Sequence, residues 1–150
     1  MKAILPLAIA AAALLAGTAA TAQKLAPQQV PAPVSAAFAQ AFPKAVDVEW
    51  KQKGDQYKVD FELGLFRNDH EVWYDASGKL LRHEEEAAAS DLPEAVKAAI
   101  AKEFPGFRTD DVERIEAEGA TTWVVELQNG PEEWKVAYDP AGQQLRKQAD

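Results

Sequence analysis

Residues 31–43, PAPVSAAFAQAFP, and residues 93–105, PEAVKAAIAKEFP, are one pattern written twice. In the first, Val34, Ala37, Phe38, Ala41 and Phe42 fall at helical spacing, and in the second Val96, Ala99, Ile100 and Phe104 hold the matching places. Each ends in Phe-Pro, which stops a helix because the proline ring disfavours helical backbone at the residue before it. Ser90 or Asp91 is expected to cap the second helix, with Pro93 and Glu94 in its first turn. The first has only Pro31 and Pro33 to mark its start.

Outward from each helix the period changes to two, the signature of a strand with one buried face. Tyr57, Val59 and Phe61 alternate with Lys58 and Asp60; Trp123, Val125 and Leu127 alternate with Val124 and Glu126. The alternation predicts strands over 57–63 and 122–128. Next, Val72, Tyr74, Asp75 and Gly78 match Val136, Tyr138, Asp139 and Gly142: a strand, then a turn in which Asp bonds local backbone and Gly supplies positive φ. Leu81-Arg82 and Leu145-Arg146 begin return strands, and less regular strands are expected over 46–51 and 112–116. Each copy therefore reads helix then four strands. Two copies are too few for a stacked solenoid, so the expectation is a duplicated α+β domain.

The ends and joints read differently. Lys2, the apolar run 3–16 and the small residues Ala20-Thr21-Ala22 form a secretory signal over 1–22, too short to span a membrane. Residues 23–33, rich in Ala, Pro and Gln, are expected to be a flexible leader. Repeat 1 then covers 34–83, an acidic linker 84–90, and repeat 2 91–148. The chain has no Cys, which excludes disulfides, thiol catalysis, thiolate metal sites and lipid attachment after cleavage. Its formal charge is −8, and the only charged residue of the signal is Lys2, so the exported part is more acidic still. Such a chain repels nucleic acid and anionic lipid. The expectation is a periplasmic or secreted protein that does not insert in a membrane.

The ordered set of Phe42-Pro43, Trp50, the alternating 57–61 strand and Tyr74-Asp75 through Leu81 recurs as Phe104-Pro105, 123–127 and Tyr138-Asp139 through Leu145. In this the chain resembles the PepSY-like family, also described as β-lactamase-inhibitor-like, over almost all of the exported part. The resemblance implies a curved antiparallel sheet with both helices on one face and the other face open. It also implies secretion and a protein-binding or protease-modulating role. The β-lactamase inhibitor itself carries disulfides and this chain has none, so shared architecture does not transfer the target.

Catalytic chemistry finds little footing. Asp69-His70-Glu71 and His83-Glu84-Glu85-Glu86 lack the His-x-x-x-His or His-Glu-x-x-His spacing of a helical metal site. His70 aligns with Trp134 and is expected to top a buried face; His83 is expected to begin a solvated linker. No metal ligand and no cofactor is assigned. Asp60, Glu62, Glu71 and Glu126 fall on the open face as ordinary ionised acids rather than an acid/base pair. Asp75 and Asp139 lack the further ligands of a calcium loop, Ser35, Ser77 and Ser90 lack a nucleophile elbow, and no phosphate-binding loop is present.

Surface recognition of a protein or peptide remains, with a small-ligand or divalent-ion binder as the alternative. If Val72 and Tyr74 face the helices, Trp73 faces away, among Glu71, Lys58, Asp60 and Arg82. An aromatic ringed by charge has the make-up of a binding anchor, though it can equally pack flat on Lys58 or Arg82. Leu65 and Phe66, on the turn of the 57–74 hairpin, are the second candidate; docking on a partner and folding back over the sheet edge are both open to them, and loop behaviour favours the second.

Overall fold

The structure is a computed structural model and describes residues 21–149. The expected signal, apart from its last two residues, lies outside them. The strands are β1 (Gln23–Leu25), β2 (Val46–Lys53), β3 (Gln56–Leu63), β4 (Asn68–Tyr74), β5 (Leu80–Glu86), β6 (Arg108–Ala117), β7 (Ala120–Asn129), β8 (Glu132–Tyr138) and β9 (Gln144–Ala149). They form one antiparallel sheet in chain order, β1 to β9. Helix α1 (Ala32–Ala41) lies between β1 and β2, and α2 (Glu94–Glu103) between β5 and β6.

The duplication extends to backbone detail. Phe42 ends α1 at φ −128°, ψ 61° and donates its N–H to the Phe38 carbonyl; Phe104 ends α2 at φ −128°, ψ 59° and donates to Ile100. Val34 and Phe38 bury against Trp50, Val59, Phe61, Val72 and Tyr74, while Val96 and Ile100 bury against Val112, Trp123, Val125, Leu127, Val136 and Tyr138. Directly paired residues of neighbouring strands share a face. The register Trp50↔Val59↔Val72↔His83↔Glu116, with Val112↔Val125↔Val136, puts both clusters on the same side. Both helices therefore cover one face and leave the other open, as the resemblance implied.

The 23–33 segment is not a loose leader. Leu25 pairs with Trp50, Leu25 and Val30 are buried in the first core, and residues 27–29 form a short 3-10 turn. The Ala26 N–H donates to the Gln29 side chain, just as the Ala88 N–H donates to Asp91 in the equivalent turn before α2. The repeat thus begins one strand earlier than expected, and the sheet has nine strands rather than eight. Asp91 caps that short turn, and Pro93 stands at the start of α2 with no side-chain cap. Residues 84–86 are not linker: they finish β5, which pairs with β4 on one side and β6 on the other and welds the halves into one sheet.

The helices are positioned by the two Asp-x-x-Gly turns. Asp75 Oδ1 accepts from the Ser77 and Lys79 backbone N–H groups, and Asp139 Oδ1 from those of Ala141 and Gln143. Gly78 and Gly142 sit at φ +86° and +84°, where a Cβ would stand 2.5 Å from the Pro33 carbonyl oxygen and 2.4 Å from that of Ala95. Each turn is pressed directly onto the first turn of its helix.

Candidate functional site

Strand alternation decides what the open face presents. Across it run Lys51↔Lys58↔Trp73↔Arg82↔Ala117 and Glu49↔Asp60↔Glu71↔Glu84↔Ile115↔Thr122. The expected cluster is therefore assembled: Trp73 lies between Lys58 and Arg82, with Glu71 and Asp60 one row along. Trp73 is half-buried; its indole Nε1 donates to Glu71 Oε1 at 2.6 Å, and the ammonium groups of Lys53 and Lys58 stand 5.8 and 5.7 Å from the ring centroid. Lys58 also pairs with Asp60 and Glu71, and Lys51 bridges Asp60 at 2.7 Å and Glu49 at 3.1 Å. Burial alone would lower the Lys58 pKa, but Glu71 and Asp60 outweigh it and hold the ammonium above its usual range. Arg82 turns to Glu84. The indole is thus held in one orientation with one flank against lysine.

Two grooves flank this cluster. One, of about 510 Å³, is acidic: Asp60, Glu62, Asp69, Glu71, Glu84 and Glu113 are among its walls. Burial, with Glu84, Asp111 and Glu126 nearby, raises the Glu113 pKa, against the opposing pull of Lys135. The other, of about 480 Å³, has an apolar floor of Ile115, Ala117, Val124 and Ala137 with Arg82 and Arg146 at its rim. The sequence reading assigned none of these floor residues. Their signal was present in β6 to β8, where Ile115, Val124 and Ala137 fall on positions that alternation reserves for polar groups.

Leu65 and Phe66 do not fold back. They are 97% and 92% exposed at the β3–β4 turn. Next to them Arg67 is held by Glu62 and Asp47, two residues that line the acidic groove.

Of the two histidines, His70 lies on the helix-bearing face as expected and His83 departs from expectation. His83 lies within β5, not in a linker, and the register Val72↔His83 and His70↔Glu85 sets both imidazoles on the helix-bearing face. His70 Nδ1 is 3.1 Å from His83 Nε2 and 3.6 Å from Glu85 Oε2. Burial lowers both imidazole pKa values, for His70 with a further contribution from His83. Among the described residues no helix is long and apolar enough to cross a membrane.

Comparison with known proteins supplies the family. No curated protein matches the chain. The family model described as "Putative beta-lactamase-inhibitor-like, PepSY-like" matches twice, over residues 17–82 and 55–146. A BLIP-like protein from Bacteroides fragilis is 27% identical, with TM-score 0.65 over 79% of this chain and 86% of that one. A DUF2874 family protein from Bacteroides uniformis, 23% identical, gives TM-score 0.70 over 79% and 88%, and a "putative periplasmic" protein from Bacteroides eggerthii, 22% identical, gives 0.71 over 80% and 88%. With two family matches that together run through both halves, and the same fold in these solved structures, the chain belongs to the PepSY-like, β-lactamase-inhibitor-like family.

Proposed function

We propose that this protein is an exported, non-catalytic binding module whose open sheet face receives a protein or peptide partner of the cell envelope. The observation that carries this reading is Trp73: an indole fixed by Glu71, flanked by lysines and set between an acidic groove and an apolar one. A rigid aromatic in a charged surround binds without ordering a loose side chain, which is how a few residues come to dominate an interface. The acidic groove selects for lysine or arginine on the partner, and Leu65 and Phe66 provide a second, apolar contact at its mouth. Export rests on the N-terminal signal pattern, and the description of the Bacteroides eggerthii structure as periplasmic agrees with it. The BLIP-like description of the Bacteroides fragilis structure is in keeping with a protein as the partner.

The test is capture of envelope proteins by immobilised wild-type chain and by Trp73→Ala, followed by calorimetry on the captured partner. Loss of an anchor of this kind weakens binding by about 2 kcal/mol, roughly thirtyfold, while the midpoint of thermal unfolding stays within a few degrees. Equal affinity of the two proteins would remove Trp73 from the interface.

A further inference from the structure

The helix-bearing face carries a second cluster, which borders the acidic groove but lies apart from the Trp73 anchor. His70, His83 and Glu85 each bring a ligand atom within 4.8 Å of the others, with His70 Nδ1 3.1 Å from His83 Nε2 and 3.6 Å from Glu85 Oε2. A tetrahedral zinc with bonds of about 2.0–2.1 Å holds its ligand atoms about 3.3 Å apart. The two separations from His70 therefore stand close to the spacing an ion would impose, and the third lies within 4.8 Å. We propose that His70, His83 and Glu85 form a three-ligand site for a borderline divalent transition-metal ion, Zn2+ foremost, with a fourth position left to solvent.

Three further observations support the assignment. The ligands are held by neighbours that leave the donor atoms free. Arg114 takes Glu85 Oε1 at 2.6 Å and leaves Oε2 turned to His70. Phe61 stacks on the His70 ring at 5.3 Å, and Phe42 meets His83 edge-on at 5.4 Å. Outer partners of this kind orient metal ligands and tighten binding. Because burial disfavours the imidazolium form, both rings are biased towards the neutral state in which a nitrogen lone pair is available.

The second observation is access. His70 and Glu85 also line the acidic groove, whose carboxylates concentrate cations at the mouth of the site. The third comes from the duplication. In the second half the positions of His70 and His83 are taken by Trp134 and Lys147, whose ammonium lies 3.9 Å from the Trp134 ring centroid and 4.8 Å from that of Phe104. A cation on an aromatic face satisfies the fold there, so the architecture itself does not demand a histidine pair. Two imidazoles and a carboxylate are instead the donor set that suits zinc and its neighbours among the first-row metals.

Without an ion, the 3.1 Å approach is a hydrogen bond between one ring's N–H and the other's lone pair, and the experiment separates the two states. Purified full-length chain is titrated with ZnCl2 at neutral pH by calorimetry, alongside thermal unfolding and histidine ring nitrogen NMR. The proposal expects one ion per chain at micromolar Kd or tighter, a higher unfolding midpoint, and Zn2+-dependent shifts of His70 Nδ1 and His83 Nε2. His70→Gln and His83→Gln each weaken binding by about a hundredfold, which corresponds to about 2.7 kcal/mol. No binding up to roughly millimolar Zn2+ overturns it. So does binding that survives in the doubly substituted chain, since that would place the ion among the surface acids. If the variants do not fold, the ring nitrogens of the wild type decide: unshifted signals at saturating Zn2+ refute the site. Failure of this site leaves the Trp73 face untouched, and the reverse holds too.

Discussion

Tyr74 and Tyr138 occupy the same place in the two halves and meet opposite fates. Both are almost wholly buried, yet the Tyr138 hydroxyl donates to Glu103 at 3.2 Å whereas that of Tyr74 has no partner among the described residues. The cause is one residue of the helix repeat: where α2 carries Glu103, α1 carries Ala41. Burial pushes the Tyr74 pKa up to about 12, and burial together with Glu103 raises that of Tyr138. An unpartnered buried hydroxyl costs desolvation that no bond offsets, while a bonded one contributes on the order of 1 kcal/mol. Tyr74→Phe should therefore leave stability unchanged or raise it by up to about 1 kcal/mol, and Tyr138→Phe should lower it by about 1 kcal/mol. Denaturant unfolding of the two variants checks the contrast, and equal losses would contradict it. At this scale much was legible, since Tyr74, Tyr138 and Trp73 fall on the faces that alternation assigns. The meeting of His70 with His83 was not, because it follows from the β4–β5 register and the irregularity at Trp73/Tyr74 rather than from spacing along the chain.

Among the elements, the hairpin turns bear most directly on the helices. Gly142→Ala combines a positive φ, which costs a non-glycine residue about 1–2 kcal/mol, with a methyl driven against the Ala95 carbonyl. The sum should be roughly 2–5 kcal/mol, since overpacking adds about 1–3 kcal/mol. Gly130 also has positive φ but faces open space, so Gly130→Ala should cost only that conformational penalty, about 1–2 kcal/mol. Thermal unfolding of both distinguishes contact from conformation, and similar losses would show that the helix contact contributes nothing. The elements easiest to read were those whose information is local: Phe-Pro helix ends, period-two strands, Asp-x-x-Gly turns. β1 escaped notice because three residues cannot display a period, although Leu25 and Val30 are bulkier apolar residues than the alanines around them. The end of β5 escaped because Glu84-Glu85-Glu86 looks like solvated linker. In fact Glu84 and Glu86 point to the open face, while Glu85 turns beneath to Arg114 and His70.

For the molecule as a whole, the decisive element is the strand that serves two masters. β5 closes the first half and opens the second, so no cut between the repeats leaves both sheets complete. A fragment beginning at Ala87 would expose the β6 edge over residues 113–117, which β5 had paired, and invite association with another chain. That fragment should lose cooperative unfolding or self-associate, whereas one beginning at Leu80 should remain monomeric and unfold in a single transition. Light scattering with circular dichroism on the two tests this, and identical behaviour would mean β5 is dispensable to the second half.

Because every strand hydrogen-bonds the one made just before it, none must wait for a distant segment to close the sheet. A polypeptide emerging end-first from a narrow passage can zip each new ribbon onto the last as it appears, with only hairpin turns and two helix-bearing connections to close and little time spent as a sticky, half-finished edge.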